Sequence, residues 1–182
     1  MTLAYAFWHW TEGDAADYEA RLVRFHRALA AEPPTGFSGS SSSRVAGAPW
    51  IPCPTGYEDF YLVADFTALG VLNEAAVSAS RKEPHDHAAA AAAGGSGGLY
   101  RLIAGDASRI GSEHAYWFSK PIGMSYADLS AMVSPIVGRV GGALWQRQMV
   151  LGPTPEYCLE AEKLAHLAPS LAPLALKRVR VC

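Results

Sequence analysis

The sequence carries few of the signals that mark a chemistry on sight. Its three cysteines, Cys53, Cys158 and Cys182, are odd in number and far apart, with no CxxC pair. Spacing therefore offers neither a disulfide framework nor a zinc signature, and reduced thiols in a cytoplasm are the plain expectation. No apolar run approaches the roughly 20 residues that span a bilayer, and no basic segment precedes an apolar one at the N-terminus. A cytoplasmic chain with no signal peptide and no membrane partner is expected. Charged residues make up only 18% and the net charge is −2, so no general attraction to nucleic acid or anionic membrane is expected. The one basic cluster, Lys177 to Arg180, alternates with apolar residues and reads as a strand face. GGSGG (94–98) lacks the following Lys-Ser/Thr and does not open a helix after a strand. It reads as a loop and not as a phosphate cradle. Ser38 to Ser43 sits in no GxSxG elbow.

What is present is a repeat. Half of the 182 residues are apolar, enough for one sizeable domain or two small ones packed together. Residues 3–10 (LAYAFWHW) and 114–121 (HAYWFSKP) both read as strands, with Tyr5 set on Tyr116, Phe7 on Phe118 and His9 on Lys120. A helical stripe follows each: Tyr18, Leu22, Phe25 and Leu29 in the first half, with Asp14 or Asp17 near its start and Pro33-Pro34 ending it. In the second half the stripe is Leu129, Met132, Val133, Ile136 and Val137, with Gly138 as its stop. Second strands are predicted over 35–45 and 141–151. Third strands follow Pro54 and Pro153, with Leu62 set on Leu159. The first half continues with a helix near 67–82, a break at Pro84, an Ala-rich run and a strand over 99–104. The second half has only residues 164–173 before its closing strand, 174–181.

Each half thus reads β-α-β-β-α-β, the ferredoxin-like order, with boundaries at 1–108 and 109–182 and a shortened last helix in the second. The expected class is α+β. Such a unit leaves one sheet face bare, and two units can hide both bare faces by packing sheet to sheet. This plan resembles the dimeric α+β barrel superfamily in its fused, tandem form, over nearly the whole chain. The resemblance rests on architecture and not on a family motif. It implies a choice among cofactor-independent monooxygenases, haem-dependent enzymes such as chlorite dismutases and dye-decolourising peroxidases, and stress-response proteins. Fold alone does not choose among them.

Candidate site residues follow from alternation. In the opening strand Leu3, Tyr5, Phe7 and His9 share one side, and Ala4, Ala6, Trp8 and Trp10 the other. In the third strands, Phe60, Leu62, Ala64 and Tyr157, Leu159, Ala161 are expected to face the helices. Glu160 and Glu162 then face the space between sheets. There they either pair with Arg147, Arg178 or Arg180, or form a polar pocket floor with a carboxylate acting as general base. His9, Glu160 and Glu162 are the catalytic candidates, and Tyr5, Trp8, Tyr116, Lys120 and Arg147 the ligand-binding ones. The histidines of PHDH (84–87) stand at i and i+2 with no third ligand nearby. A solvated helix junction, with Asp86 as a cap, is expected there and no metal site. No cofactor is assigned. Haem, on His26, His114 or His166, stays open because no spacing selects one.

The expected function is binding of a small apolar or aromatic metabolite, between the sheets or between sheet and helices. The resemblance implies cofactor-free oxygenation or isomerisation if the protein is an enzyme. The alternatives are a non-catalytic assembly or stress module, its barrel filled solidly by Trp8, Trp117 and Trp145, and a haem protein. The fold also allows a homodimer.

Overall fold

A computed structural model describes residues 1–148 and 152–182. The first half runs β1 (Leu3–Trp10), α1 (Ala15–Ala31), β2 (Phe37–Ala46), β3 (Thr55–Val63), α2 (Phe66–Ala76), α3 (Ala79–Ala91), β4 (Gly94–Gly105). The second runs β5 (His114–Phe118), α4 (Tyr126–Val140), β6 (Gly142–Gln148), β7 (Tyr157–Ala161) and β8 (Leu174–Arg180). Helix starts are chemically marked. The side chains of Asp14, Asp65 and Ser125 accept from the backbone N–H groups of Asp17, Ala68 and Asp128. Helix α4 runs past Gly138 and ends at Gly141, whose φ of 61° is the left-handed cap geometry.

The strands form one closed antiparallel barrel in the order β1-β3-β2-β8-β5-β7-β6-β4. Each half contributes four consecutive strands in ferredoxin-like order, and the pairs β2–β8 and β4–β6 seam the halves together. The fold is α+β, two fused ferredoxin-like repeats, and closure needs no second copy of the chain. The predicted strand end at 149–151 lies outside the described residues.

Large side chains pack the barrel interior. Trp8, Trp117, Trp145, Tyr100, Phe60 and Leu62 fill it. Within this apolar space lies an ionic cluster. Arg178 Nε donates to Glu58 Oε1 at 2.6 Å, and Nη1 donates to Glu160. The indoles of Trp8 and Trp145 donate to Glu58 at 2.7 Å and Glu160 at 2.8 Å, and the Gly111 N–H donates to Glu160 at 2.9 Å. Glu58 lies on β3 and Arg178 on β8, so this pair crosses from one repeat to the other. One guanidinium serves two carboxylates. Burial, together with the charge of Glu58, pushes the Glu160 carboxyl up despite the arginine.

Several expectations are corrected. The first-half third strand is inverted: pairing of Tyr5 with Tyr61 and Ala6 with Phe60 turns Phe60 and Leu62 into the barrel. Tyr57, Asp59, Tyr61 and Val63 then face the helices. The repeat register also moves. Ladder pairs His9–Tyr57 and Phe118–Tyr157 stack alike, at 5.5 Å with ring planes 16° and 11° apart. Trp8 therefore corresponds to Trp117, and Tyr57 to Tyr157. GGSGG is strand and not loop, since Gly94–Gly98 pairs along β1. Aromatic rings of β1 lie over it, and a Cβ on Gly97 would meet the Tyr5 hydroxyl at 2.6 Å. Pro84 does not break its helix but lies buried within α3, and Asp86 pairs with Lys82 instead of capping.

Replacing Arg178 by Met leaves two buried carboxylates without a cation, so a loss of about 3–5 kcal/mol is expected in urea unfolding. Arg178→Lys is expected to recover little, because a single ammonium does not reproduce the guanidinium fork that reaches both partners.

Candidate functional site

The outer face of the first repeat does not close tightly on its helices. A cavity of about 970 Å³ lies between strands β1, β3 and β4 and helices α1, α2 and α3. Most of its wall is apolar, including Phe7, Leu22, Phe25, Leu69 and Leu72. The wall residues Phe66 and Val77 are exposed, so the cavity opens to solvent on the α2 side. Gly94 and Gly95 complete one wall beneath the β1 rings.

Its polar groups converge on Asp59. This carboxylate is buried, 1% exposed, in a wall that is otherwise largely apolar. Its Oδ2 accepts from the Tyr61 hydroxyl at 2.8 Å and from His26 Nε2 at 3.2 Å. His9 Nε2 also lies 3.2 Å from Oδ2, off the line that a hydrogen bond needs, and has no other partner. On its far side, His9 Nδ1 is 2.7 Å from the Tyr18 hydroxyl. The His9 ring is fixed by stacking on Phe7 and Tyr57. Among the described residues Asp59 Oδ1 has no hydrogen-bond partner. Buried polar atoms are normally satisfied, and two that lack a partner among the described residues belong to residues lining this one cavity.

Charge follows the geometry. Burial alone pushes the Asp59 carboxyl up, but the His9 and His26 rings, when protonated, pull harder and hold it well below the usual carboxylate range. Burial first, then the Asp59 charge, raises the Tyr18 and Tyr61 hydroxyls, so both stay neutral at ordinary pH.

The second repeat provides an internal comparison. By strand register, His9 corresponds to Phe118, Asp59 to Leu159 and Tyr61 to Ala161. Counting from the helix caps Asp14 and Ser125, Tyr18 corresponds to Leu129 and His26 to Val137. All five equivalents are apolar and pack in one cluster. The fold therefore builds this layer without a buried histidine or aspartate.

Of the residues picked from sequence, the structure brings only His9 and Tyr5 to this cavity. Trp8 and Glu160 are in the barrel. Glu162 lies beyond the end of β7, exposed and paired with Arg109. Tyr116 accepts from the Ala165 N–H at 2.9 Å, and Lys120 donates to the Met124 carbonyl at 2.7 Å. Arg147 reaches the Gly152 carbonyl at 3.4 Å. His26 has both ring nitrogens engaged, and neither His114 nor His166 lines the cavity. Among the described residues no group of three His, Cys, Asp or Glu is placed to hold a metal, and no helix is long and apolar enough to cross a membrane. Asp59, Tyr18 and Tyr61 were the residues missed. The signal for them was His26 beside Phe25 on the buried stripe of α1, facing a strand with Asp between two Tyr.

No protein-family model matches the chain. No curated protein sequence matches it either. Solved structures do. The whole chain superposes on 93% of a candidate monooxygenase from Fusobacterium nucleatum, with TM-score 0.66 and 8% identity. It also superposes on 95% of a candidate monooxygenase from Lactobacillus acidophilus, with TM-score 0.57 and 10% identity. A candidate chlorite dismutase matches at TM-score 0.51 and 10% identity, over 96% of its length. At such identities the likeness is one of fold: this is the dimeric α+β barrel, with both halves in one chain.

Because the Asp59 carboxyl is more acidic folded than its ordinary value of 3.8, its stabilising contribution is present above that value and lost as pH falls below it. The unfolding free energies of the protein and of Asp59→Asn should differ by about 3 kcal/mol near pH 6. In urea titrations that gap should shrink steadily below pH 4.

Proposed function

We propose that the first-repeat cavity binds a small, largely apolar or aromatic metabolite carrying a hydroxyl or enol group, and that His9 acts on it as a general base. The observation that carries this reading is the pair of free polar atoms, His9 Nε2 and Asp59 Oδ1, among residues lining a mainly apolar cavity of about 970 Å³. The volume suits a ligand of drug-like size or larger. The apolar counterpart layer of the second repeat supports a functional reason for the polar groups, since folding does not require them.

The chemistry follows from the contacts. With its Nδ1–H donating to Tyr18, a neutral His9 keeps Nε2 bare for a proton from the ligand. The imidazolium that forms stands 3.2 Å from the Asp59 carboxylate, whose charge stabilises it. Asp59 Oδ1 is free to accept a second donor from the ligand and so fix its orientation. Loss of a proton from a phenol or enol leaves an electron-rich anion. That anion either reacts with dioxygen without a cofactor or is reprotonated elsewhere as an isomer. The fold shared with the candidate monooxygenases supports the first outcome.

A thermal-shift screen of hydroxylated aromatic compounds tests this. Binders should raise the melting temperature, and the rise should grow with the logarithm of their concentration above Kd. Leu69→Trp, which fills the cavity from its apolar wall, should abolish the shift, and Asp59→Asn should weaken binding about tenfold or more. Binders whose shifts survive both changes would place the ligand elsewhere.

A further inference from the structure

The cavity floor is connected to the outside by a second arm. His26 lies on α1 and Ser40 on β2, and neither lines the cavity. His26 Nε2 is 3.2 Å from Asp59 Oδ2, and its Nδ1 is 2.7 Å from Ser40 Oγ. A carboxylate only accepts, so Nε2 must carry the hydrogen in that contact. In the neutral ring Nδ1 is then an acceptor, and the Ser40 hydroxyl donates to it. Ser40 is half-buried and reaches solvent.

This arm is as specific to the first repeat as the cavity floor. The register that matches Tyr61 to Ala161 also matches Ser40 to Gly142, and His26 corresponds to Val137. Neither equivalent can hydrogen-bond through a side chain.

We infer that Ser40 and His26 are positioning residues that set the hydrogen-bonding state of Asp59, and through it of His9, from outside the cavity. Ser40 holds His26 in its Nε2–H form. His26 and Tyr61 together occupy Asp59 Oδ2 and leave Oδ1 as the open acceptor. The floor thus stays in contact with solvent on the β2 side even when a ligand fills the cavity. Titratable groups face His26 from three elements. On β3 they are Asp59 and Tyr61, on β1 His9, and on α3 His85, whose ring meets the adjacent Phe25 at 5.5 Å. Cys182 lies near Asp59, its thiol pushed up to about 11 by burial and that charge.

The inference builds on the proposed role of the cavity, but its test needs no ligand, so the two can fail separately. Nitrogen-15 NMR of the histidine rings in the full chain should show His26 as the Nε2–H tautomer. Ser40→Ala should change the acid constants of both His26 and His9 by about threefold or more. Ser40→Thr, which keeps the hydroxyl, should restore both. An Nδ1–H tautomer at His26 in the unmodified protein would overturn the inference without any variant. So would a Ser40→Ala protein in which the His9 titration stays where it was.

Discussion

A four-stranded sheet with helices on one side has a second side that cannot be left wet when it is as apolar as here, and barrel closure is how this chain meets that constraint. The seams β2–β8 and β4–β6 put the bare faces of both repeats inside one wall. That interior is packed by tryptophans and other large side chains. Its ionisable groups are consumed by one another, in a cluster whose arginine and one of whose glutamates come from opposite halves. The barrel therefore holds the molecule together, and the large cavity lies in the layer between sheet and helices.

In that layer the two halves diverge. The second half keeps α4 and packs valine, leucine and phenylalanine beneath it, leaving a smaller pocket of about 350 Å³ beside Phe118, Leu129 and Tyr157. The first half covers its sheet with three helices that stand off enough to leave a large cavity, and sets a buried carboxylate among two imidazoles and a phenol. Duplication thus supplies two scaffolds of the same plan, one of which carries the costly buried charge. That charge is tolerable because several partners are aimed at one oxygen of Asp59.

The element order, the duplication and the sandwiching of β1 were legible in the sequence, because strand alternation and helical stripes are strong where one face differs from the other. The orientation of β3 was not. Tyr57, Asp59 and Tyr61 alternate with Glu58, Phe60 and Leu62, and both sets are buried. Period-two patterning carries no direction when both faces are covered. The choice is made by pairing with β1, a long-range contact that no local window contains. For the same reason His9 was recognised as a candidate and its partner Asp59 was not. Glu162 has the same parity as Glu160, but the strand has ended before it. The glycine strand was hidden too, since what makes glycine acceptable there belongs to the neighbouring strand.

That strand has an effect on the shape of the site. Where most sheets present a row of side chains, Gly95 and Gly97 present bare backbone on the cavity side, and the rings of Tyr5 and Phe7 recline across it. The depth available to a guest is consequently governed by how flat those rings can lie. A single methyl at Gly95 would prop Phe7 upright, and the room would shrink from below while every polar atom stayed in place. On the proposed function, size selection and acid–base chemistry are thereby lodged in separate residues, and a descendant of this chain could retune one without disturbing the other.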